Sequence, residues 1–191
     1  MREIVIATKN KHKVLEFENM LKKMDYKVLS LFDFDHLPDI EETGKTFKEN
    51  ALIKARTLSK YLNKTVIADD SGLCVRALNN EPGVYSARYA GLDKDYHQNN
   101  QLLMKNIKNE KDRFAKFVSS ICVYYPSGDS ICVEGYLEGE IIDEYRGSNG
   151  FGYDPIFYLP SLNKTLAELD MEEKNELSHR ANALKKIIKY L

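Results

Sequence analysis

Thr65-Val66-Ile67-Ala68-Asp69-Asp70-Ser71-Gly72 opens as an apolar, β-branched run and closes on two carboxylates and a glycine. That is the pattern of a strand that hands acids to a turn at its carboxyl end. Immediately before it, a helix is predicted from Thr46, with Phe47, Ala51, Ala55 and Leu58 at near-helical spacing, ending around Tyr61 to Asn63. Further back, a strand over 28–31 leads into an acidic stretch over 33–42 that Thr43-Gly44 breaks. The chain begins with Ile4-Val5-Ile6-Ala7, a polar Thr8-Lys9-Asn10-Lys11-His12, and a helical pattern of Val14, Phe17, Leu21 and Met24. The start is therefore β-α-β-α-β. Beyond Gly72, a helix is predicted over 93–107, and apolar runs over 114–125 and 130–142 flank Pro126-Ser127-Gly128-Asp129 as a hairpin. A glycine-rich loop over 147–152 follows, then a closing helix over 178–190 with Ser178 as its amino-terminal cap. Alternating helices and strands with an antiparallel pair inserted predict an α/β fold around a mixed sheet.

A chain of 191 residues suits one domain, or one domain in two packed lobes. Lysine and arginine number 28 against 29 aspartates and glutamates, so the net charge of -1 offers no global attraction to a nucleic-acid polymer. No apolar stretch approaches the length needed to cross a bilayer, which predicts a cytoplasmic protein with no membrane partner. Cys74, Cys122 and Cys132 stand apart in apolar surroundings and read as reduced core residues.

Four constellations could carry chemistry. Thr8-Lys9-Asn10-Lys11-His12-Lys13 lies where a strand passes to a helix. Backbone N–H groups at a helix amino terminus favour an anion, and a hydroxyl beside several ammonium groups suits a triphosphate. The segment lacks the glycines of a Walker A loop, and a solvated lysine-rich turn would look the same. Asp69 and Asp70 can hold a hard divalent cation such as magnesium through oxygen, or can simply organise a turn. Neighbouring acids on a strand point to opposite faces, so one is chemical and the other structural. Glu41-Glu42 could add a carboxylate to the same ion, or form a solvated acidic loop. In Gly150-Phe151-Gly152-Tyr153-Asp154-Pro155, the glycines permit close approach, Phe151 offers a stacking face to a purine and Asp154 can accept from base N–H groups; the plainer reading is a turn with a buried aromatic. Lys174 and Ser178-His179-Arg180 supply donors that could meet a keto oxygen at purine position 6, where adenine carries an amino group, unless they are only a basic helix start.

In this order the segments resemble the inosine triphosphate pyrophosphatase family over essentially the whole chain. The match runs through 4–13, Glu41-Glu42-Thr43-Gly44 with Thr46-Phe47 and Glu49-Asn50-Ala51, then 67–73, 82–89, 150–158 and Ser178-His179-Arg180. The resemblance implies one domain over 1–191, with a long central mixed sheet and helices in two lobes around a nucleotide cleft, usually as a homodimer. It implies that Thr8, Asn10 and Lys13, within the segment that also holds Lys9, Lys11 and His12, bind phosphates. Asp70 is then the catalytic acid and a metal ligand, and Ser71 touches substrate. Phe151, Gly152, Tyr153 and Asp154 form the base loop, and Lys174, His179 and Arg180 read the base. The metal-binding glutamate falls on Glu41 or Glu42, with Glu42 preferred. Ala181 and Asn182 stand where many relatives carry glycine and glutamine.

The expected reaction is magnesium-dependent hydrolysis of deaminated purine nucleoside triphosphates, those of inosine, deoxyinosine and xanthosine, to the monophosphate and pyrophosphate. Asp70, or a water it positions, directs attack on the α-phosphorus. The rival readings are a non-catalytic nucleotide sensor and a phosphatase that releases orthophosphate.

Overall fold

Alternation of apolar β-branched runs with helical stripes produces the strand and helix order expected of an α/β chain. A computed structural model describes residues 2–21, 26–92 and 95–191. Met24 and Asp93, assigned above to helices, lie outside those residues. In chain order the elements are β1 (Arg2–Ile6), α1 (Lys11–Leu21), β2 (Tyr26–Ser30), α2 (Phe47–Leu62), β3 (Val66–Val75) and α3 (Tyr96–Ile107). They continue with β4 (Phe114–Tyr124), β5 (Ser130–Ile141), β6 (Phe157–Leu159), β7 (Lys164–Thr165), α4 (Met171–Leu177) and α5 (His179–Ile187). The strands form one sheet in the order β2-β1-β3-β4-β5-β6-β7. β1 is parallel to β2 and β3, whereas β6 is antiparallel to β5 and β7, so the sheet is mixed.

Two compact units share these elements, the first comprising 1–70, 119–135 and 183–191 and the second 71–118 and 136–182. In the first, Ile4, Ile6, Phe17, Leu21, Ile67 and Ile121 pack with Leu184 and Ile187 of α5, and Val5, Ala51, Ala55, Leu58 and Val66 form a second apolar cluster. In the second, Leu73, Leu103, Ile107, Phe117, Phe157 and Leu166 make the core. α2 shows how local chemistry fixes an element. Thr46 accepts the Glu49 N–H, Glu49 accepts the Thr46 N–H, and Asn63 ends the helix in the left-handed conformation at φ 51°.

Two expectations need correction, and one helix is additional. β3 does not stop at Ala68; it runs through Asp69, Asp70, Ser71 and Gly72 to Val75, so Gly72 is no turn and the acids lie in mid-strand. The strand continues because it is flanked by β1 and β4 and because side chains elsewhere satisfy its polar groups. The closing helix starts where expected, with Ser178 as its cap, and a short helix that the sequence pattern does not mark, α4, precedes it. α4 ends at Leu177, Ser178 is extended at φ -62° and ψ 156°, and its hydroxyl then accepts the Ala181 N–H at the start of α5. Finally, Cys122 and Cys132 are not both reduced but joined by a disulfide, while Cys74 is free and buried. They lie on neighbouring strands either side of the 125–129 connection, with Cα atoms 4.1 Å apart, a proximity that strand register creates and sequence separation conceals.

Candidate active site

Strand alternation sends Asp69 and Asp70 to different partners. Asp69 accepts the Ser119 hydroxyl at 2.5 Å through Oδ1 and faces the Lys13 ammonium at 2.5 Å through Oδ2. Asp70 accepts from Asn50 Nδ2 at 3.2 Å through Oδ2 and from Lys54 Nζ at 3.4 Å through Oδ1. Lys54 also reaches Glu42 Oε1 at 3.1 Å, so a single buried ammonium is shared by two carboxylates. Glu42 rather than Glu41 joins Asp70 in this way.

The electrostatics follow from burial. Desolvation pushes the Asp70 carboxyl above its ordinary range, with Lys54 and Lys13 opposing and Glu42 and Asp69 adding to the rise. For Lys54, desolvation favours the neutral amine, but Asp70, Glu42 and Asp69 together outweigh it and hold the proton on more tightly than usual. Asp70 is thus a carboxylate of raised proton affinity, a useful property in a general base.

Lys54 and Asn50 were not among the sequence candidates, yet a signal existed. Positions 47, 50, 51, 54, 55 and 58 follow the i, i+3, i+4, i+7, i+8, i+11 spacing of one helix face, on which Asn50 is buried and Lys54 half-buried. A lysine and an asparagine on such a stripe call for buried partners.

The Thr8–Lys13 segment is shaped by Asn10. Its Oδ1 accepts the N–H groups of His12 at 3.0 Å and Lys13 at 3.4 Å, and Thr8 Oγ1 accepts the Asn10 N–H at 3.1 Å. Asn10 therefore caps α1 and engages two of the amides expected to hold an anion. Lys13 turns to Asp69, whereas Lys9, Lys11 and His12 are exposed, with the Lys11 ammonium 6.0 Å from the Phe32 ring centroid.

The second unit gathers the other candidates. Asp154 Oδ2 accepts the Phe151 N–H at 2.8 Å and the Lys174 ammonium at 2.7 Å, and that ammonium lies 4.7 Å from the Phe151 ring centroid. Asp154 therefore shapes the loop. Gly150 is required here, since its φ is +77° and a Cβ would meet Asp154 Oδ2 at 2.1 Å. The Gly152 carbonyl accepts from Asn100, and the Tyr153 hydroxyl donates to the Ser86 carbonyl at 2.8 Å; burial raises the Tyr153 phenol pKa. Tyr96 packs against Phe151 at 6.2 Å between centroids. His179 stacks on Phe117 with ring centroids 4.8 Å apart, and the buried Arg180 guanidinium donates to Ser71 Oγ at 3.0 Å. Ser71 directly follows Asp70 in β3, so one strand carries both the acid and the contact to Arg180.

A divalent ion fits this donor set. Two carboxylate oxygens already converge on one cation, the Lys54 ammonium, and hard oxygen donors suit magnesium, which usually takes one or two carboxylates and completes its shell with water and phosphate. Among the described residues no group of three or more His, Cys, Asp or Glu side chains is arranged to hold a metal.

A dITP/XTP pyrophosphatase of Bacillus licheniformis is 51% identical over 189 residues, covering 98% of this chain and 96% of that protein. The solved structure of the Staphylococcus aureus Ham1 protein superposes with a TM-score of 0.91 at 47% identity, covering 99% of this chain and 97% of that one. A HAM1 protein from Coxiella burnetii gives a TM-score of 0.93 at 43% identity, covering 100% and 98%. The model described as Ham1 family matches residues 4–190, and with fold and sequence agreeing over that length, the chain belongs to the Ham1 family.

Proposed function

We propose that the protein is a magnesium-dependent nucleoside triphosphate pyrophosphohydrolase that converts the triphosphates of inosine, deoxyinosine and xanthosine to the monophosphate and pyrophosphate. The observation that carries this reading is the pairing of Glu42 and Asp70 around one cation, with Lys13 held beside them by Asp69. The dITP/XTP pyrophosphatase name of the Bacillus licheniformis relative supports the substrate class. The reading includes a homodimer, as the family resemblance implies, and a cytoplasmic location; among the described residues no helix is long and apolar enough to cross a membrane.

Glu42 and Asp70 would hold the ion. When bound, the metal supplies positive charge to the phosphate oxygens and lowers the cost of charge developing there. Asp70, or a water it positions, would direct attack, with the carboxylate taking the proton of the attacking water. Lys13 and Lys54 offset charge on the remaining phosphate oxygens, and Thr8, with Asn10 holding the turn, lines the same segment. In the second unit, Phe151 offers a stacking face, while Lys174, His179 and Arg180 set the donors that accept a 6-keto purine and reject adenine. Buried donors left unmatched discriminate by up to ~10⁴–10⁵-fold, so adenosine triphosphate should be a poor substrate.

The test is to incubate the purified protein with inosine, xanthosine, guanosine and adenosine triphosphates and magnesium, then identify products by chromatography. Monophosphate and pyrophosphate from the inosine and xanthosine compounds support the proposal. Diphosphate and orthophosphate would identify a phosphatase, and binding without turnover a sensor.

A further inference from the structure

We infer that Asn50 is a positioning residue that sets the spacing of the Glu42–Asp70 pair, by clamping the acidic loop with one end of its amide and Asp70 with the other. The inference rests on the reading of that pair as the metal site. Asn50 Oδ1 accepts the Gly44 N–H at 2.8 Å, and Asn50 Nδ2 donates to Asp70 Oδ2 at 3.2 Å. The amide has one orientation only. A backbone N–H must face the oxygen and a carboxylate must face the nitrogen, and the reverse placement would oppose donor to donor and acceptor to acceptor.

Each bond has a consequence for the pair. The bond to Gly44 fixes the loop two residues after Glu42, and the bond to Asp70 occupies Oδ2, leaving Oδ1 as the oxygen that meets the shared cation, where Lys54 Nζ now lies. Asn50 is 2% exposed and sits on α2 one turn before Lys54, so its amide is held by a helix rather than by a loop. Gly44 completes the clamp. A Cβ there would stand 2.6 Å from both Asn50 Oδ1 and Glu49 Cβ and 2.9 Å from the Asn50 backbone nitrogen, so any larger residue forces the loop away from the amide.

Residues that orient metal ligands typically change metal affinity or activity ~10–100-fold when replaced. The experiment is manganese binding to the whole protein without nucleotide, read from the electron paramagnetic resonance of the free ion, for wild type, Asn50→Leu, Gly44→Ala and Glu42→Gln. Thermal melts and steady-state kinetics on inosine triphosphate accompany it. Asn50→Leu removes both hydrogen bonds, and Gly44→Ala displaces the loop with Asn50 intact, so the second variant carries the test if the first does not fold. Folded variants should bind manganese about tenfold or more weakly and lose kcat to a similar degree, with the KM for inosine triphosphate changing less than about threefold at saturating metal. Weak binding in Glu42→Gln together with wild-type binding in Asn50→Leu and Gly44→Ala would overturn the role of Asn50 alone. Wild-type binding in Glu42→Gln would overturn the metal site and this role with it.

Discussion

Replacing Lys174 with Met separates structure from chemistry in the loop from Phe151 to Asp154. The Lys174 and Asp154 side chains are 9% and 5% exposed and meet at 2.7 Å, so removal of the ammonium leaves a buried carboxylate holding only part of its former compensation. Breaking a buried pair from one side costs ~3–5 kcal/mol. For a chain of this size each kcal/mol moves the melting temperature by ~2–4 °C, giving an expected fall of roughly 6–20 °C. The ammonium also lies over Phe151, and the Phe151 N–H bonds to the same Asp154 oxygen, so the stacking surface loosens and KM for inosine triphosphate rises. The assay is a melt by circular dichroism beside steady-state kinetics. A second variant, Lys174→Met with Asp154→Asn, removes the lone charge and should recover part of the lost stability, giving a coupling energy between the two positions. A single variant that melts within about 2 °C of wild type with unchanged KM would refute the reasoning, since that is less than ~1 kcal/mol.

Asp70→Asn should lower turnover by ~10²–10⁴-fold, measured by pyrophosphate release at saturating substrate. The same variant should melt higher than wild type near neutral pH. The Asp70 pKa is raised by burial in the folded state, so its neutral form is favoured there; stability linked to it is complete below the unfolded value and is lost as pH rises through the folded one. The gain from Asn should accordingly vanish in melts below the ordinary carboxylate range, and a variant less stable than wild type at neutral pH counts against the assignment. Lys54→Met leaves Asp70 and Glu42 without their shared cation, so the metal-free protein should melt lower, and added magnesium should raise that variant's melting temperature more than wild type's. Thr46→Ala removes the capping hydroxyl of α2 and should cost ~1 kcal/mol in chemical denaturation with turnover little changed.

What sequence disclosed was local. The β-branched runs at Ile4 and Val66 and the stripe and bounds of α2 depend on chemistry within a few residues of themselves, and each appears where that chemistry places it. β3 was read short because Asp69-Asp70-Ser71 looks like a strand end. Its polar groups are met by Ser119, Asn50 and Arg180, the last 109 residues away, and no local pattern records such partners. α4 was missed because its Glu-rich sequence carries little apolar periodicity, although the Asp170–Glu173 capping box marks its start. The disulfide escaped for the same reason as β3, since strand register joins Cys122 to Cys132. At the candidate site, the motifs pointed to the acids and to the loop from Phe151 to Asp154, while nothing local distinguishes Asn50, which α2 buries, or the half-buried Lys54 from ordinary helix residues.

If water attacks the α-phosphorus with Asp70 as base, solvent oxygen enters the monophosphate. Turnover of inosine triphosphate in water enriched in oxygen-18, with mass analysis of both products, reads where that oxygen goes. The label should appear in inosine monophosphate and be absent from pyrophosphate; label in pyrophosphate, or in orthophosphate released beside the diphosphate, would rule out attack at the α-phosphorus.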